Sequence, residues 1–477
     1  MSMLRAPMRP PTAAPVAAFE PPTIRHHAPA NGARASSLLE STLPLVHFEW
    51  LAPRGSAGDP TGREGLAAVA AGLLRDAKRG GGDGESPTQR AETLGSQLEI
   101  GVDWDFTFVG FQALASDLEA AYDLLTLLAQ PPTVTHQVLT VELRRRVRAL
   151  AERQRRLASI ADDAFARAVY GRHRYGLPLL GTIEGLRRIE VQELHSFFES
   201  FASEARVIAL GDFDPPRLER WLRRRSWCQG EAHPSAADSS YEPDTGATPG
   251  PDTEAHSEAQ VFVVDVPGAS HAELRYGHRG VARGAVDPRA LELLDTILGR
   301  SYGSRLNLEL RARHGTVYDV RAGFARRRGA GPFVVSTAVA TETTSTVLCI
   351  IRREIDALRR VPVPATELAA ARRFLVGTWP QQFQTFQRLA AQMRRTALSD
   401  SSGEWTARQP HRLEALDAAT LRRHAEHLLA PERAMTVIAG PARDIATQLR
   451  RDGIPHSVTT LQEVKEGSRD RFPDERR

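Results

Sequence analysis

The sequence is short of cysteine and lysine and has no long apolar run. Its two cysteines, Cys228 and Cys349, cannot form a disulfide framework or a cysteine metal cluster, and their scarcity favours the cytoplasm. Lys78 and Lys465 are the only lysines, so the formal net charge of +4 rests almost entirely on arginine. That excess is too small to indicate nucleic-acid binding. No run reaches the length of a transmembrane helix, and the proline-rich N-terminus makes a poor signal peptide.

What the chain does have is the size and composition of a multidomain globular protein. Its 477 residues are 41% hydrophobic and 25% charged, which is enough to bury a sizeable core. Residues 228–258 lack apolar periodicity and are dense in Pro, Gly, Ser and Asp, which predicts a linker. The predicted organisation is a disordered leader (1–30), an N-terminal domain (31–227), the linker (228–258), a C-terminal domain (259–454) and a tail (455–477).

Both halves end with the same order of elements, which indicates an internal duplication. Residues 186–224 and 413–451 each read as an amphipathic helix, an apolar strand, a glycine and a second helix. Chance similarity is the alternative, because this order is common. Residues 98–108 alternate apolar and polar and predict one half-buried strand, while helices are predicted at 117–128 and 141–160. The fold class is therefore α+β, with two homologous domains, each a largely antiparallel sheet covered by helices on one face.

Short segments along most of the chain match one peptidase family in that family's order. They include LPLVHFEWLAPRGSAGDPTGREGLA at 43–67, VIALGDFD at 207–214, VVDVPGASHAELRYGH at 263–278 and the stretch at 298–333 that contains LRARHGTVYDV. On these segments the chain resembles the pitrilysin and mitochondrial-processing-peptidase family of zinc peptidases. The resemblance covers about residues 31–451 and implies one half of a clamshell.

The zinc-binding motif of that family is missing here. Active members carry His-x-x-Glu-His on the first long helix, where two histidines one turn apart bind zinc and the glutamate activates water. The matching helix has Ala68 and Gly72 at the ligand positions and Ala71 at the general-base position. A third ligand, a glutamate on a later helix, matches Arg148 or Ala149. The resemblance implies that this chain holds no metal and that zinc belongs to a partner subunit.

A second family feature is retained in the C-terminal half. Arg311 and Tyr318 match an arginine and a tyrosine that the family spaces as R-x6-Y. The resemblance implies that these groups reach across the closed chamber, hold substrate carbonyls and stabilise the tetrahedral oxyanion. A permanently charged guanidinium and a phenol donor suit that task. The alternative is a surface arginine and a tyrosine packed on a sheet.

Two further segments could contact a substrate. The helix that includes Val141 is rich in arginine, which predicts either a solvated basic face or a chamber wall that attracts acidic peptides. Active relatives bind peptide as an added strand at the segment that matches 95–108. Here Glu99 replaces the asparagine that the family often has, which argues against productive peptide pairing in this domain.

The expected function is that of a non-catalytic subunit of a heterodimeric zinc metallopeptidase that processes or degrades peptides. A homologous partner bearing the zinc motif supplies the metal, the water and the general base, while this chain supplies Arg311, Tyr318 and half of the chamber. No activity of the chain alone is expected, and neither nucleic acid nor membrane is an expected partner. The alternatives are an inert scaffold subunit and a homodimeric peptide-binding protein.

Overall fold

Two six-stranded sheets, one in each half of the chain, organise the molecule. The structure is a computed structural model that describes residues 19–29, 34–79, 84–223, 260–398, 413–460 and 462–463. The predicted linker at 228–258 lies outside the described residues. The strands are β1 (Arg25–His27), β2 (Arg34–Leu39), β3 (Leu45–Ala52), β4 (Glu99–Val102), β5 (Thr107–Leu114), β6 (Arg206–Gly211), β7 (Gln260–Asp265), β8 (Ala272–Arg279), β9 (Val317–Phe324), β10 (Pro332–Val339), β11 (Met435–Gly440) and β12 (Ser457–Thr460).

Helices cover both sheets and connect their strands. They are α1 (Leu66–Asp76), α2 (Pro87–Thr93), α3 (Leu118–Ala129), α4 (His136–Arg153), α5 (Leu157–Tyr170), α6 (Ile183–Arg187), α7 (Val191–Glu204), α8 (Pro215–Arg223), α9 (Pro288–Asp295), α10 (Thr344–Arg360), α11 (Ala365–Thr378), α12 (Phe386–Leu398), α13 (Ala418–Leu428) and α14 (Ala442–Arg451). Two π-helical turns, Thr296–Arg300 and Asn307–Arg313, stand between α9 and β9.

The two sheets share one topology, so the duplication extends to the strand order. The first sheet runs β1-β2-β6-β3-β5-β4 and the second runs β12-β7-β11-β8-β10-β9. In each, the early strand pairs parallel with the late one, β2 with β6 and β7 with β11, and the next three strands pair antiparallel. Only the outermost strand differs, since β1 is antiparallel to β2 whereas β12 is parallel to β7. The predicted α+β class with two homologous, largely antiparallel domains is confirmed.

Each sheet buries one face under the helices of its own domain. On β3, Val46, Phe48 and Trp50 point into a core shared with α1, α3 and α7, and on β8, Leu274 and Tyr276 do the same under α9 and α10. This alternation is the period-two pattern of a strand. To this extent the prediction of helices on one face is correct.

The opposite face of each sheet is covered by a helix from the other domain, which the sequence analysis did not foresee. From the first domain, α5 packs on β7 and β11 through an apolar stripe that includes Ala161 and Phe165. From the second domain, α12 packs on β2 and β6 through a stripe that includes Leu389 and Met393. The two domains therefore exchange one helix each and are held together by two apolar cores.

A hairpin contact adds a polar joint between the domains. The tip between β9 and β10 lies against the tip between β4 and β5. The Tyr175 hydroxyl donates to Asp105 Oδ1 at 2.7 Å and accepts from the Gly329 amide at 3.0 Å. The Arg327 guanidinium stacks 3.6 Å from the centre of the Trp104 ring. Because these groups are buried or half-buried, the joint fixes the relative position of the two sheets.

Two elements predicted from periodicity are wrong in their bounds. The single strand predicted over 98–108 is a hairpin of β4 and β5, because the Asp103 carboxylate accepts the Trp104 amide and favours a turn there. The single helix predicted over 141–160 is split between α4 and α5. The alternation and the helical period both continue across these breaks, so neither pattern could reveal them.

Strands also occur where a leader and a tail are predicted. In the leader, β1 pairs with β2, and the His27 ring lies 2.7 Å from the Ser37 hydroxyl. In the tail, β12 pairs with β7 and lengthens the second sheet. Both segments gain their backbone hydrogen bonds from the edge of a sheet that other parts of the chain form. Their own composition therefore gives little indication that they are strands.

Asp295, at the end of α9, is expected to make stability depend on pH. Burial raises the pKa of Asp295 from 3.8 to about 7, although its carboxylate accepts the Phe324 amide at 3.1 Å. Its contribution to stability is therefore present below pH 3.8 and is lost as the pH rises through about 7. We expect Asp295→Asn to raise the free energy of unfolding at pH 8 by about 2 kcal/mol. Urea unfolding at pH 8 measures this, and the same pair of proteins near pH 4 should differ little. An equal gain at both values would contradict the charge explanation.

Candidate functional site

The helix that should carry the zinc motif is buried and apolar. The amides of Gly65 and Ala67 at the start of α1 donate to the Asp59 carboxylate at 2.7 and 2.9 Å, which fixes where the helix begins. Ala68 and Ala71 are at most 1% exposed and belong to the packed interior. The positions that match a ligand and a general base therefore carry methyl groups that fill space.

Gly72, at the second ligand position, faces an ion pair on α4. A Cβ atom at Gly72 would lie 2.1 Å from Glu142 Oε1 and 2.7 Å from Arg146 Nη2. Arg146 Nε in turn donates to Glu142 Oε1 at 2.7 Å, and Glu142 is buried. A permanently charged guanidinium thus occupies the space beside the degenerate motif and, together with Arg145, neutralises Glu142.

The residues around this site do not fit zinc. Ala149 lies on the helical face of Glu142 and Arg146, at spacings of seven and three residues, whereas Arg148 is rotated away from that face. Neither residue carries a carboxylate. Among the residues that the structure describes, no group of three or more His, Cys, Asp or Glu side chains is placed to hold a metal ion. Zinc also needs three or four N, S or O ligands, and a neighbouring guanidinium opposes a second cation.

Arg311 and Tyr318 lie together on the surface of the second domain. The Arg311 Cζ atom is 5.1 Å from the centre of the Tyr318 ring and 4.4 Å from that of Tyr302. Tyr318 is 84% exposed and Tyr302 is 72% exposed, which is unusual for large aromatic side chains. The alternative of a tyrosine packed on the sheet does not apply, since both rings contact the guanidinium and face solvent.

Asn307 holds the three elements of this cluster in place. Its buried side-chain amide Nδ2 lies 3.2 Å from Ser301 O, 3.0 Å from Ser304 Oγ and 3.2 Å from Val320 O. The first two acceptors flank Tyr302 in its loop, and the third lies two residues after Tyr318 on β9. One side chain thus ties the loop and the strand to the π-helical turn that carries Arg311.

The acidic groups near Arg311 are already paired with other arginines. Glu309 forms ion pairs with Arg313 and, at 2.9 Å, with Arg353. Asp319 pairs with Arg321 at 2.9 Å. Among the described residues, no hydrogen bond or ion pair involves the Arg311 guanidinium. Its charge is therefore uncompensated by its neighbours.

Arg311 and Tyr318 were predicted from the sequence, whereas Tyr302 and Asn307, which lie beside them in the structure, were not singled out. Tyr302 stands in the short loop before Ser304, where the sequence carries no pattern that separates a site residue from an ordinary loop residue. Asn307 lies inside a helical turn and is nearly buried. A buried asparagine amide needs hydrogen-bond partners, but the sequence does not reveal that Asn307 is buried.

The arginines of α4 divide into paired and unpaired groups. Arg146 and Arg153 are tied to Glu142 and Asp163. Arg144 and Arg148 are exposed, and neither has an acidic partner within the described ranges. In the first sheet, Glu99 on the edge strand β4 accepts a hydrogen bond from Gln387 Nε2 at 2.7 Å, so the Glu99 side chain is held by α12.

In the part of the chain that the structure describes, no helix combines the length and apolar character needed to span a bilayer.

Comparisons with known sequences place part of the chain in a peptidase family. Residues 188–375 match the model described as the peptidase M16 inactive domain. An uncharacterized zinc protease of Streptomyces coelicolor is 23% identical over 270 residues, 56% of this chain and 57% of that protein. The uncharacterized zinc protease YmxG of Bacillus subtilis is 23% identical over 224 residues, 46% of this chain and 50% of that protein. The matches thus span about half the length of these curated relatives.

Solved structures with the same fold span nearly the whole described chain. The peptidase M16 inactive domain from Pseudomonas fluorescens superposes with a TM-score of 0.76 at 20% identity, covering 88% of this chain and 98% of that chain. A protease from Helicobacter pylori gives 0.78 at 15% identity, with 88% and 99% covered. The resemblance read from the sequence is confirmed: residues 188–375 match the peptidase M16 inactive domain, and the chain shares the fold of solved M16-like structures.

Proposed function

We propose that the chain is the non-catalytic subunit of a heterodimeric zinc metallopeptidase, supplying Arg311 and Tyr318 to a partner that carries the HxxEH motif. The observation that carries the proposal is the half-buried Arg311 side chain, whose guanidinium contacts Tyr318 but has no acidic partner among the described residues. A scaffold needs no such uncompensated donor. The ion pair between Glu142 and Arg146 beside Gly72 supports the other half of the proposal, that zinc belongs to the partner.

The two side chains would act on the negative charge that develops during peptide hydrolysis. A guanidinium and a phenol both donate hydrogen bonds, and donors held in place ahead of the reaction stabilise a tetrahedral oxyanion more than the ground-state carbonyl. The contact between Arg311 and Tyr318 and the hydrogen bonds of Asn307 keep the donors in one arrangement. The partner would supply the zinc ion, the attacking water and the general base.

The substrate in this proposal is a peptide or an unfolded segment that can enter the closed clamshell for processing or degradation. We place the complex in the cytoplasm because cysteine is scarce, and cell fractionation tests that location. Nucleic acid and membrane are not proposed as partners. The rival functions, an inert scaffold subunit and a homodimeric peptide-binding protein, are outcomes of the experiment below.

We expect Arg311→Ala to lower kcat of the two-subunit complex by about tenfold to a hundredfold, and Tyr318→Phe to lower it by about tenfold. The measurement is peptide cleavage by the chain mixed with a homologous subunit that carries the HxxEH motif. Arg451→Ala is the matched control, because Arg451 is an exposed arginine of the same domain, at the end of α14, that pairs with Asp452. Unchanged rates in an intact heterodimer would support the scaffold. Zinc binding and cleavage by the chain alone would overturn the proposal.

A further inference from the structure

The donors of Arg311 are available to a ligand. A guanidinium carries five N–H donors in one plane, in a fork that matches the two oxygens of a carboxylate. In Arg311 the rings of Tyr302 and Tyr318 contact the group, at 4.4 and 5.1 Å from Cζ. The donors have no protein acceptor in the part of the chain that the structure describes. A ligand that approaches the cluster therefore meets a positioned guanidinium whose N–H groups are available to donate hydrogen bonds.

The charges around the cluster favour an anion as that ligand. Glu309 and Asp319 are the nearby acids, and each is paired with another arginine. Two aromatic rings beside the guanidinium reduce its contact with water, which strengthens its interaction with a negative group. A peptide carbonyl would use one donor, whereas a carboxylate uses two and also offsets the charge.

We propose that Tyr302, Arg311 and Tyr318 form a carboxylate-binding site, so that the chain selects peptides that present a carboxylate, from a Glu or Asp side chain or from the C-terminus. The inference rests on the proposed function, because it assigns a substrate class to the same site. Tyr302 is the additional binding residue. Asn307 is a positioning residue, since it acts by holding the loop of Tyr302 and the strand of Tyr318.

The ligand preference can be measured on the full chain without a partner. Fluorescence anisotropy would be recorded with three labelled ten-residue peptides: one with an internal glutamate and a free C-terminus, one with that glutamate changed to glutamine, and one with the C-terminus amidated. We expect about tenfold weaker binding for whichever peptide lacks the recognised carboxylate, and a loss of that difference at high salt. The two altered peptides separate a side-chain carboxylate from a terminal one. Equal binding of all three would overturn the proposal.

Variants assign the preference to the cluster. We expect Tyr302→Ala to weaken binding of the preferred peptide about threefold and Tyr302→Phe to preserve it, because the ring and not the hydroxyl contacts the guanidinium. Arg311→Lys should lose about fivefold, since an ammonium group cannot form the planar fork. Arg451→Ala, at an exposed arginine of α14 away from the cluster, is the control for a general change in surface charge, and thermal unfolding checks that each variant folds.

The outcome separates this inference from the proposed function. If Tyr302→Ala and Arg451→Ala weaken binding equally, the carboxylate site is wrong, whatever the peptidase complex does. If the peptides show the carboxylate preference but Arg311→Ala leaves kcat of the complex unchanged, the site binds carboxylates and the catalytic role fails. Peptide binding to the isolated chain reports only on the carboxylate site, and the cleavage rate of the mixed subunits reports on the catalytic role of Arg311.

Discussion

Replacing Arg394 with alanine is expected to lower the free energy of unfolding by about 3–5 kcal/mol, because a buried charge then loses its partner. Arg394 lies on the exchanged helix α12, and its Nη1 atom is 2.5 Å from Oε2 of Glu49 on β3. Glu49 is fully buried, Arg394 is 15% exposed at its side chain, and Arg394 also stacks 4.0 Å from the centre of the Phe108 ring. The loss combines a buried carboxylate left without its guanidinium, with His47 Nε2 still 3.5 Å away, and lost packing between the domains. Urea unfolding of the full chain at pH 7 measures it.

Two comparisons test this cause. Arg388→Ala removes an exposed arginine from the same helix and should change stability by less than about 1 kcal/mol. The double variant Glu49→Gln with Arg394→Met removes both charges and should recover most of the loss, because an uncharged pair leaves no uncompensated ion. If the double variant is as unstable as Arg394→Ala, packing and not charge accounts for the effect.

Charged residues also specify which sheet each exchanged helix covers. Glu49 pairs with Ile208 on β6, three residues before Gly211 at the end of that strand. Arg275 pairs with Val437 on β11, three residues before Gly440 at the end of that strand. Glu49 and Arg275 therefore hold equivalent positions in the two sheets. Arg275 Nε lies 2.6 Å from Asp162 of α5, the reverse of the pair in the first sheet. A helix placed on the wrong sheet would bring like charges together. The inversion therefore favours the observed exchange over packing of each helix on its own sheet.

The sequence predicted the parts of the molecule that depend on local pattern. The helix, strand, glycine and helix predicted at the end of each half are present as α7, β6 and α8 in the first domain and as α13, β11 and α14 in the second. The loss of the zinc motif follows from reading Ala68, Ala71 and Gly72 against the family. The exchange of α5 and α12 could not be predicted, because an amphipathic stripe indicates that a helix is half-buried but not which sheet it covers. Tyr302 was missed for a similar reason, since its contact with Arg311 is set by the loop that Asn307 ties down.

Restoring the zinc motif is expected to destabilise the protein without creating a metal site. The triple variant Ala68→His, Ala71→Glu, Gly72→His places three larger side chains where the parent residues are buried. At Gly72 even a Cβ atom meets Glu142 and Arg146, so their ion pair must move. We expect a loss of about 3–5 kcal/mol in the free energy of unfolding from overpacking and a displaced buried charge. Urea unfolding and a zinc titration measure the two effects.

A second variant tests whether Arg146 takes the place of the metal. Adding Arg146→Ala and Ala149→Glu to the triple variant removes the guanidinium and supplies a third ligand on the same face of α4. This five-site variant should bind about one zinc per chain, whereas the triple variant should not. Tight zinc binding by the triple variant with Arg146 retained would show that the guanidinium lies elsewhere than the metal position. The predicted contrast arises because a fixed internal cation and a bound zinc ion compete for one space and one carboxylate, Glu142.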